Sequence, residues 1–283
     1  MRQKLALAIT GVATLFAVSA CGSTGSTEPS AEASLDPANP VVLTVGASSI
    51  PHAQILEYVD ENLAKEAGID LDIVEYDDYI LPNTSLEDGS LDANYFQTQA
   101  YLDQQVADRG YEFEHGQGIH VEPMTVFSKK FNEPSDVAEG ASVVLNNDPA
   151  NQLRGLRLLE GAGLLAGLED SDTVLTIEDD EAKNPKKLKF NEMNAEQVPQ
   201  VYSKDDSVDV AVINGNFIAQ AKLNLDEMLD QESGENNPHA NFLTWRAGEE
   251  TPAIAKLEEL LHSDQVGTYI EETWNDGSVI PAF

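Results

Sequence analysis

From residue 41 onward, short apolar runs alternate with stretches of helical periodicity, and their order predicts an α/β fold. Val41-Val42-Leu43-Thr44-Val45-Gly46 is an apolar run closed by glycine, the pattern of a buried strand. Ile55, Leu56, Val59 and Leu63 then recur at helical spacing. Ser48 or Ser49 stands where a cap is needed, Pro51 suits the first turn, and Gly68 closes the helix. Residues 71–76 predict the next strand, so strand, helix and strand follow in the order of a largely parallel sheet. A second unit of the same kind comes later. Strands are predicted at 121–128, 142–145, 187–191, 208–213 and 241–245. A helix is predicted from Gln152 to about Glu160, with Leu153, Leu156 and Leu159 on one face. An amphipathic helix over 253–261 carries Ile254, Leu257, Leu260 and Leu261. The expected architecture is two α/β lobes, with the late segments returning to the first. No solenoid-type repeat is present.

The first 40 residues follow a different pattern. Arg2 and Lys4 precede an uncharged, mostly apolar run over 5–20, and the chain's only cysteine, Cys21, follows small residues. This predicts a signal peptide over 1–20, cleaved before Cys21. The run is shorter than the ~20 apolar residues a membrane-spanning helix needs. A signal cut before cysteine resembles that of bacterial lipoproteins, in which the cysteine carries lipid; Val18 stands where such signals usually have Leu. An ordinary secretory signal with an incidental cysteine is the alternative. Residues 22–40, rich in Ser, Thr, Gly, Ala, Glu and Pro, predict a flexible spacer.

Charge narrows the partners. The formal net charge is −34, and losing Arg2 and Lys4 with the signal gives −34 − 2 = −36. Such a surface repels nucleic-acid phosphates and anionic lipid, which excludes a nucleic-acid role. With 41% hydrophobic residues the body has enough apolar material for a core, and no cysteine beyond Cys21 is available for disulfides.

Enzyme signatures are missing from the sequence. It has no Gly-x-Ser-x-Gly elbow, no P-loop and no His-Glu-x-x-His. His52, His115, His120, His239 and His262 lack metal-ligand spacing, so no metal or other cofactor is expected. Glu178-Asp179-Asp180-Glu181 reads as a solvated face. The expectation is a binding protein, not an enzyme. Three segments carry a binding signal: 76–83, 91–102 and 147–154. In the third, Asn151 is placed to cap a helix and Arg154 to project from its first turn. A cation there opposes the helix dipole unless an anion docks beside it, and arginine suits a carboxylate gripped through two hydrogen bonds. A surface arginine paired with a neighbouring acid is the alternative.

At these segments the chain resembles the methionine-binding lipoproteins of ABC importers, the NlpA/MetQ family, over residues 41–283. The resemblance rests on Asp78-Tyr79 with Leu81-Pro82-Asn83, Asp92-Ala93-Asn94 with Phe96-Gln97, Tyr101-Leu102-Asp103-Gln104-Gln105, Asp108-Arg109-Gly110-Tyr111, Asn147-Asp148-Pro149 with Asn151 and Arg154, and Ala211-Val212-Ile213-Asn214. It implies the type II periplasmic-binding-protein fold, with a ligand cleft between lobe 1 (41–123 and 242–283) and lobe 2 (124–241), and crossings near 123–128 and 241–245. It further implies that Arg154 binds a ligand carboxylate, that Asn151 and Asn214 bond the carboxylate or amino group, and that Tyr79, Phe96 and Tyr101 wall a side-chain pocket. Aromatic rings suit a thioether. One departure matters: the family pattern Phe-Gln-His-x-x-Tyr reads Phe96-Gln97-Thr98-Gln99-Ala100-Tyr101 here, so Thr98 replaces the pocket histidine and leaves more room. The implied ligand is L-methionine, with another amino acid or a short methionine-containing peptide as alternatives. The implied partners are an ABC permease with its ATPase, and the outer face of the cell membrane through lipid on Cys21. An adhesive or structural surface lipoprotein is the rival of a different class.

Overall fold

The computed structural model describes residues 35–283, so Cys21, the signal and most of the expected spacer lie outside the described residues. Among the described residues, twelve strands and nine α-helices build two sheets with helices around them. In chain order they are β1 (Val41–Ser48), α1 (Gln54–Val59, flanked by wider helical turns at Ser49–Ala53 and Asp60–Ala64), β2 (Ile69–Tyr76), α2 (Leu81–Glu87), β3 (Ala93–Thr98), α3 (Gln99–Arg109), β4 (Phe113–His115), β5 (His120–Val121), β6 (Thr125–Phe127), β7 (Ser142–Asn146) and α4 (Pro149–Gly161). They continue with α5 (Val174–Ile177), β8 (Lys189–Met193), α6 (Val198–Lys204), β9 (Val210–Ile213), α7 (Gly215–Ala221), β10 (Met228–Gln231), β11 (Ala240–Arg246), α8 (Pro252–Leu261), α9 (Asp264–Thr273) and β12 (Ile280–Pro281).

The first sheet runs β12-β5-β11-β3-β1-β2, with β4 also on β11. β1 pairs in parallel with both β2 and β3, while β11 is antiparallel to β3. Its core joins Val45 and Tyr95 of the sheet to Ile55 and Leu56 of α1, Leu257 of α8 and Ile270 of α9. The second sheet runs β10-β6-β9-β7-β8. Alternation along β7 decides its two faces: Val143 and Leu145 pack with Leu156 and Leu159 of α4, while Val144 packs with Tyr202 of α6 and Phe217 of α7. Both faces are therefore covered by helices, as a parallel-cored sheet requires.

Several expectations need correcting. Residues 121–128 are not one strand. β5 belongs to the first sheet and β6 to the second, and Glu122, Pro123 and Met124 carry the chain between them. The return passage lies in residues 232–239, before β11, so residues 241–245 sit within the first sheet. Met124 and Glu232 join the two passages: Glu232 N–H donates to Met124 O at 3.0 Å, and Met124 N–H donates to the Glu232 carboxylate at 2.9 Å. The strand expected from residue 187 starts at Lys189, because Lys187 takes a left-handed backbone (φ 51°). Ser48 occupies the position before the first helical turns without a side-chain capping bond. Asn151 does not cap α4: Asp148 does, accepting from Asn151 N–H at 2.9 Å. Finally, Asp36 and Asn39 close a turn that packs Leu35 on the first core, so this end of the expected spacer is folded.

Candidate ligand-binding site

The site is assembled from both sheets and from the first passage between them. The scaffold on the first-sheet side is a buried amide network. Asn83 Nδ2 donates to Gln97 Oε1 (2.9 Å), Asn94 Nδ2 to Asn83 Oδ1 (2.9 Å) and Gln97 Nε2 to Thr244 Oγ1 (3.2 Å). These groups are buried and satisfied, which fixes α2, β3 and β11 against one another. Asp78 Oδ1 accepts from Ile80 N–H (2.6 Å) and Leu81 N–H (2.8 Å), turning the chain so that Tyr79 faces the cleft. Much of the motif 78–97 is thus framework that presents Tyr79, Phe96 and Thr98.

These side chains line a tight cavity of about 20 Å³, little more than the ~10–15 Å³ a single water needs. All seven residues expected at the site line it: Tyr79, Phe96, Thr98, Tyr101, Asn151, Arg154 and Asn214. Three rings form one wall, with Tyr79 5.7 Å from Tyr101 and 6.0 Å from Phe96 between centroids, and Phe96 5.9 Å from Tyr101. Tyr101 Oη donates to Tyr79 O at 2.7 Å. Tyr79 Oη crosses to the other lobe and donates to Asn216 Oδ1 at 2.6 Å. Burial, with Glu122 and Asp148 nearby, holds the Tyr79 hydroxyl well above the ordinary phenol range, so it stays a donor. Thr98 precedes α3 without capping it, which leaves its hydroxyl uncommitted to that helix.

The second lobe contributes α4 and the start of α7. Asn214 Nδ2 donates to Asn151 Oδ1 (2.7 Å), and Asn151 Nδ2 to both Asp148 oxygens (3.2 and 3.1 Å). Arg154 lies in the second turn of α4, not the first, and it is buried. It already holds a carboxylate. Nε donates to Glu232 Oε1 (2.8 Å), Nη2 to Glu232 Oε2 (2.5 Å) and Nη2 also to Glu122 O (3.0 Å). Arginine pairing with an acid is therefore real, but at the cavity wall instead of the surface. Nη1 has no protein partner among the described residues, and Arg154 is part of the cavity wall.

Sequence reasoning missed Glu122, and with it two histidines. Glu122 lines the cavity and is buried. Its Oε1 lies 2.6 Å from His120 Nε2 and 3.2 Å from His52 Nε2. His120 Nδ1 meets Tyr95 Oη in a short contact. Burial pushes His52 down to about 4 and His120 to about 3, so both are neutral near pH 7. His120 then donates its Nε2–H to the carboxylate, while His52 Nε2–H is directed to Asn241 Oδ1 (3.2 Å) beside it. Burial raises Glu122, while His52, Arg154 and the Asn216 amide oppose the rise. Gly215 permits this packing: a Cβ there would sit 2.6 Å from Glu122 Cβ. His120 and Glu122, two apart across the end of β5, were a findable signal because alternate positions of an extended chain share a face. Glu232 carried no such local signal. His52, His120 and Glu122 offer three metal-ligating atoms within 4.8 Å, but 2.6 Å between donor and acceptor is the spacing of a shared proton.

Two α/β lobes joined by two chain passages, with a closed polar and aromatic pocket between them, define a solute-binding protein. The comparisons narrow this. The NlpA lipoprotein family model matches residues 43–283, and the chain belongs to that family. The methionine-binding lipoprotein MetQ of Bacillus subtilis is 37% identical over 242 residues, covering 84% of this chain and 87% of the relative. A putative lipoprotein of Actinomyces odontolyticus superposes with a TM-score of 0.80 at 45% identity, covering 87% of this chain and all (100%) of the other. A nutrient-binding protein of Burkholderia cenocepacia, solved bound to methionine, gives a TM-score of 0.77 at 35% identity, with 85% and 100% covered. No helix among the described residues is long and apolar enough to cross a membrane.

Proposed function

We propose that this protein is a lipid-anchored binding protein that captures methionine or a closely related amino acid outside the cell membrane and delivers it to an ABC permease. The observation that carries the reading is the pairing of opposite charges at the two ends of one closed pocket. Glu122 offers a carboxylate to an ammonium group, and Arg154 Nη1, with the remaining amide hydrogen of Asn214, offers donors to a carboxylate. A buried zwitterion needs both, since an unpaired charge would forfeit more than the pocket returns. Tyr79, Phe96 and Tyr101 would enclose the side chain, where sulfur–aromatic contacts are worth about 0.3–1.5 kcal/mol. Closure of the lobes would bury the ligand, and the Tyr79–Asn216 bond is a contact that only a closed cleft can make. The names of the relatives support methionine as the solute, and membership of a lipoprotein family supports Cys21 as the lipidated residue.

The test is calorimetric titration of protein unfolded, dialysed free of ligand and refolded. L-methionine or D-methionine is expected to bind one to one with micromolar or tighter affinity, about −8 kcal/mol or better. Absence of both heat and thermal stabilisation with either enantiomer would remove the reading.

A further inference from the structure

The two ends of the pocket differ in what lies behind them. Behind Glu122 stand His52 and His120, 1% and 0% exposed, so that end is closed. Behind Arg154 the pocket abuts a second, wider cavity of about 920 Å³, open to solvent, and Arg154 lines both. Leu153, Glu232 and Asn237 are among the residues that line this outer cavity. The charge balance differs in the same sense. Arg154 is neutralised by Glu232, which is itself anchored by Met124 N–H (2.9 Å) and Asn237 Nδ2 (3.3 Å). At the arginine end, therefore, the pocket offers hydrogen-bond donors but little net positive charge. A carbonyl oxygen can use those donors as well as a carboxylate can. At the other end, Glu122 has no neighbouring cation except Arg154, and it demands a charged amine.

From this asymmetry we infer that the site requires a free α-ammonium group but tolerates extension of the ligand at its carboxyl group. Peptides and amides whose first residue is methionine would fit, with the rest of the ligand running past the Arg154–Glu232 pair into the outer cavity. Ligands extended at the amino group would not fit. The inference rests on the assignment of this pocket to an amino acid. It goes further by fixing the direction in which a longer ligand can lie.

The experiment titrates the ligand-free protein with L-methionine, methioninamide, methionyl-alanine, alanyl-methionine and N-acetylmethionine. The expected result is that methioninamide and methionyl-alanine bind within about tenfold of methionine, while the two amino-blocked ligands bind at least about a hundredfold more weakly. Leu153→Trp, which fills the outer cavity, should weaken methionyl-alanine by about tenfold or more and leave methionine unchanged. Tight methionine binding together with loss of both carboxyl-extended ligands, or indifference of methionyl-alanine to Leu153→Trp, overturns the inference. Failure of methionine itself to bind would instead remove the assignment of the pocket.

Discussion

Arg154 and Glu232 form a two-point ion pair, Nε to Oε1 at 2.8 Å and Nη2 to Oε2 at 2.5 Å, that ties helix α4 to the return passage between the lobes. Both side chains are largely buried, 7% and 14% exposed, so the pair cannot be dissolved without stranding a charge. Hydrogen bonding to Arg154 holds the Glu232 carboxyl below its ordinary range despite burial. Glu232→Gln should cost about 3–5 kcal/mol of stability, read by urea unfolding, because Arg154 keeps its charge and loses its counter-ion. The same variant should sharpen discrimination for methionine over methioninamide, since the freed arginine then favours a full negative charge. A ratio unchanged from wild type would remove Glu232 from the specificity of the site.

Glu122→Gln should leave the fold close to wild type, because the amide oxygen can still accept from His120 while His52 keeps its bond to Asn241. Affinity for a ligand with a free ammonium should fall by about 2 kcal/mol or more, roughly thirtyfold, on loss of the charge partner. Titration calorimetry against methionine reads this directly. Binding within twofold of wild type would exclude Glu122 as the ammonium partner.

Stability should fall on mild acidification. His52 and His120 bind no proton in the folded state until about pH 4 and 3, whereas the unfolded chain binds them near pH 6.5. The unfolded state therefore gains protons first, and the stability present above pH 6.5 is lost as pH falls towards 4. Each histidine contributes up to about 1.4 kcal/mol per pH unit over that window. Glu122, raised by burial, opposes one of the two by taking up a proton in the folded state. Denaturant unfolding between pH 6.5 and 4.5 should show the downward slope, and His52→Gln should flatten it. An unchanged slope in that variant would show that His52 is not the group responsible.

Tyr79 joins the lobes through a single hydroxyl. Tyr79→Phe removes its 2.6 Å bond to Asn216 but keeps the ring among Phe96, Tyr101 and Phe217. The closed form should lose about 1 kcal/mol relative to the open one. Small-angle scattering should record a larger radius of gyration for the ligand-free variant, and methionine should restore the wild-type value. Identical scattering curves without ligand would deny the hydroxyl a role in closure.

Thr98→His restores the side chain that the family pattern carries and takes up space in an already tight cavity. It should disfavour ligands bulkier than methionine by about tenfold while changing methionine affinity less. Equal losses for small and large ligands would place the effect in the fold of the β3–α3 junction.

Period and order along the chain determined the architecture. Apolar runs at 41–46, 142–145 and 208–213 became β1, β7 and β9, because a sheet covered on both faces needs continuous apolar strands, and the alternating segment 71–76 became the edge strand β2. The helix-bearing segments before residues 154 and 102, and Tyr79, Phe96, Thr98, Asn151 and Asn214, could be named from local motifs, and they all meet at one cavity. Tertiary structure alone decided the electrostatics of that cavity. Glu232 lies 78 residues from Arg154, and His52 lies 70 from Glu122; no local spacing announces pairs that exist only because two passages cross between the lobes. The same crossing split 121–128 between two sheets. Local pattern reports which face of an element is apolar. Which buried charge meets which is set by the closure of the fold, since desolvation forces each charge to find a partner wherever the chain brings one within reach.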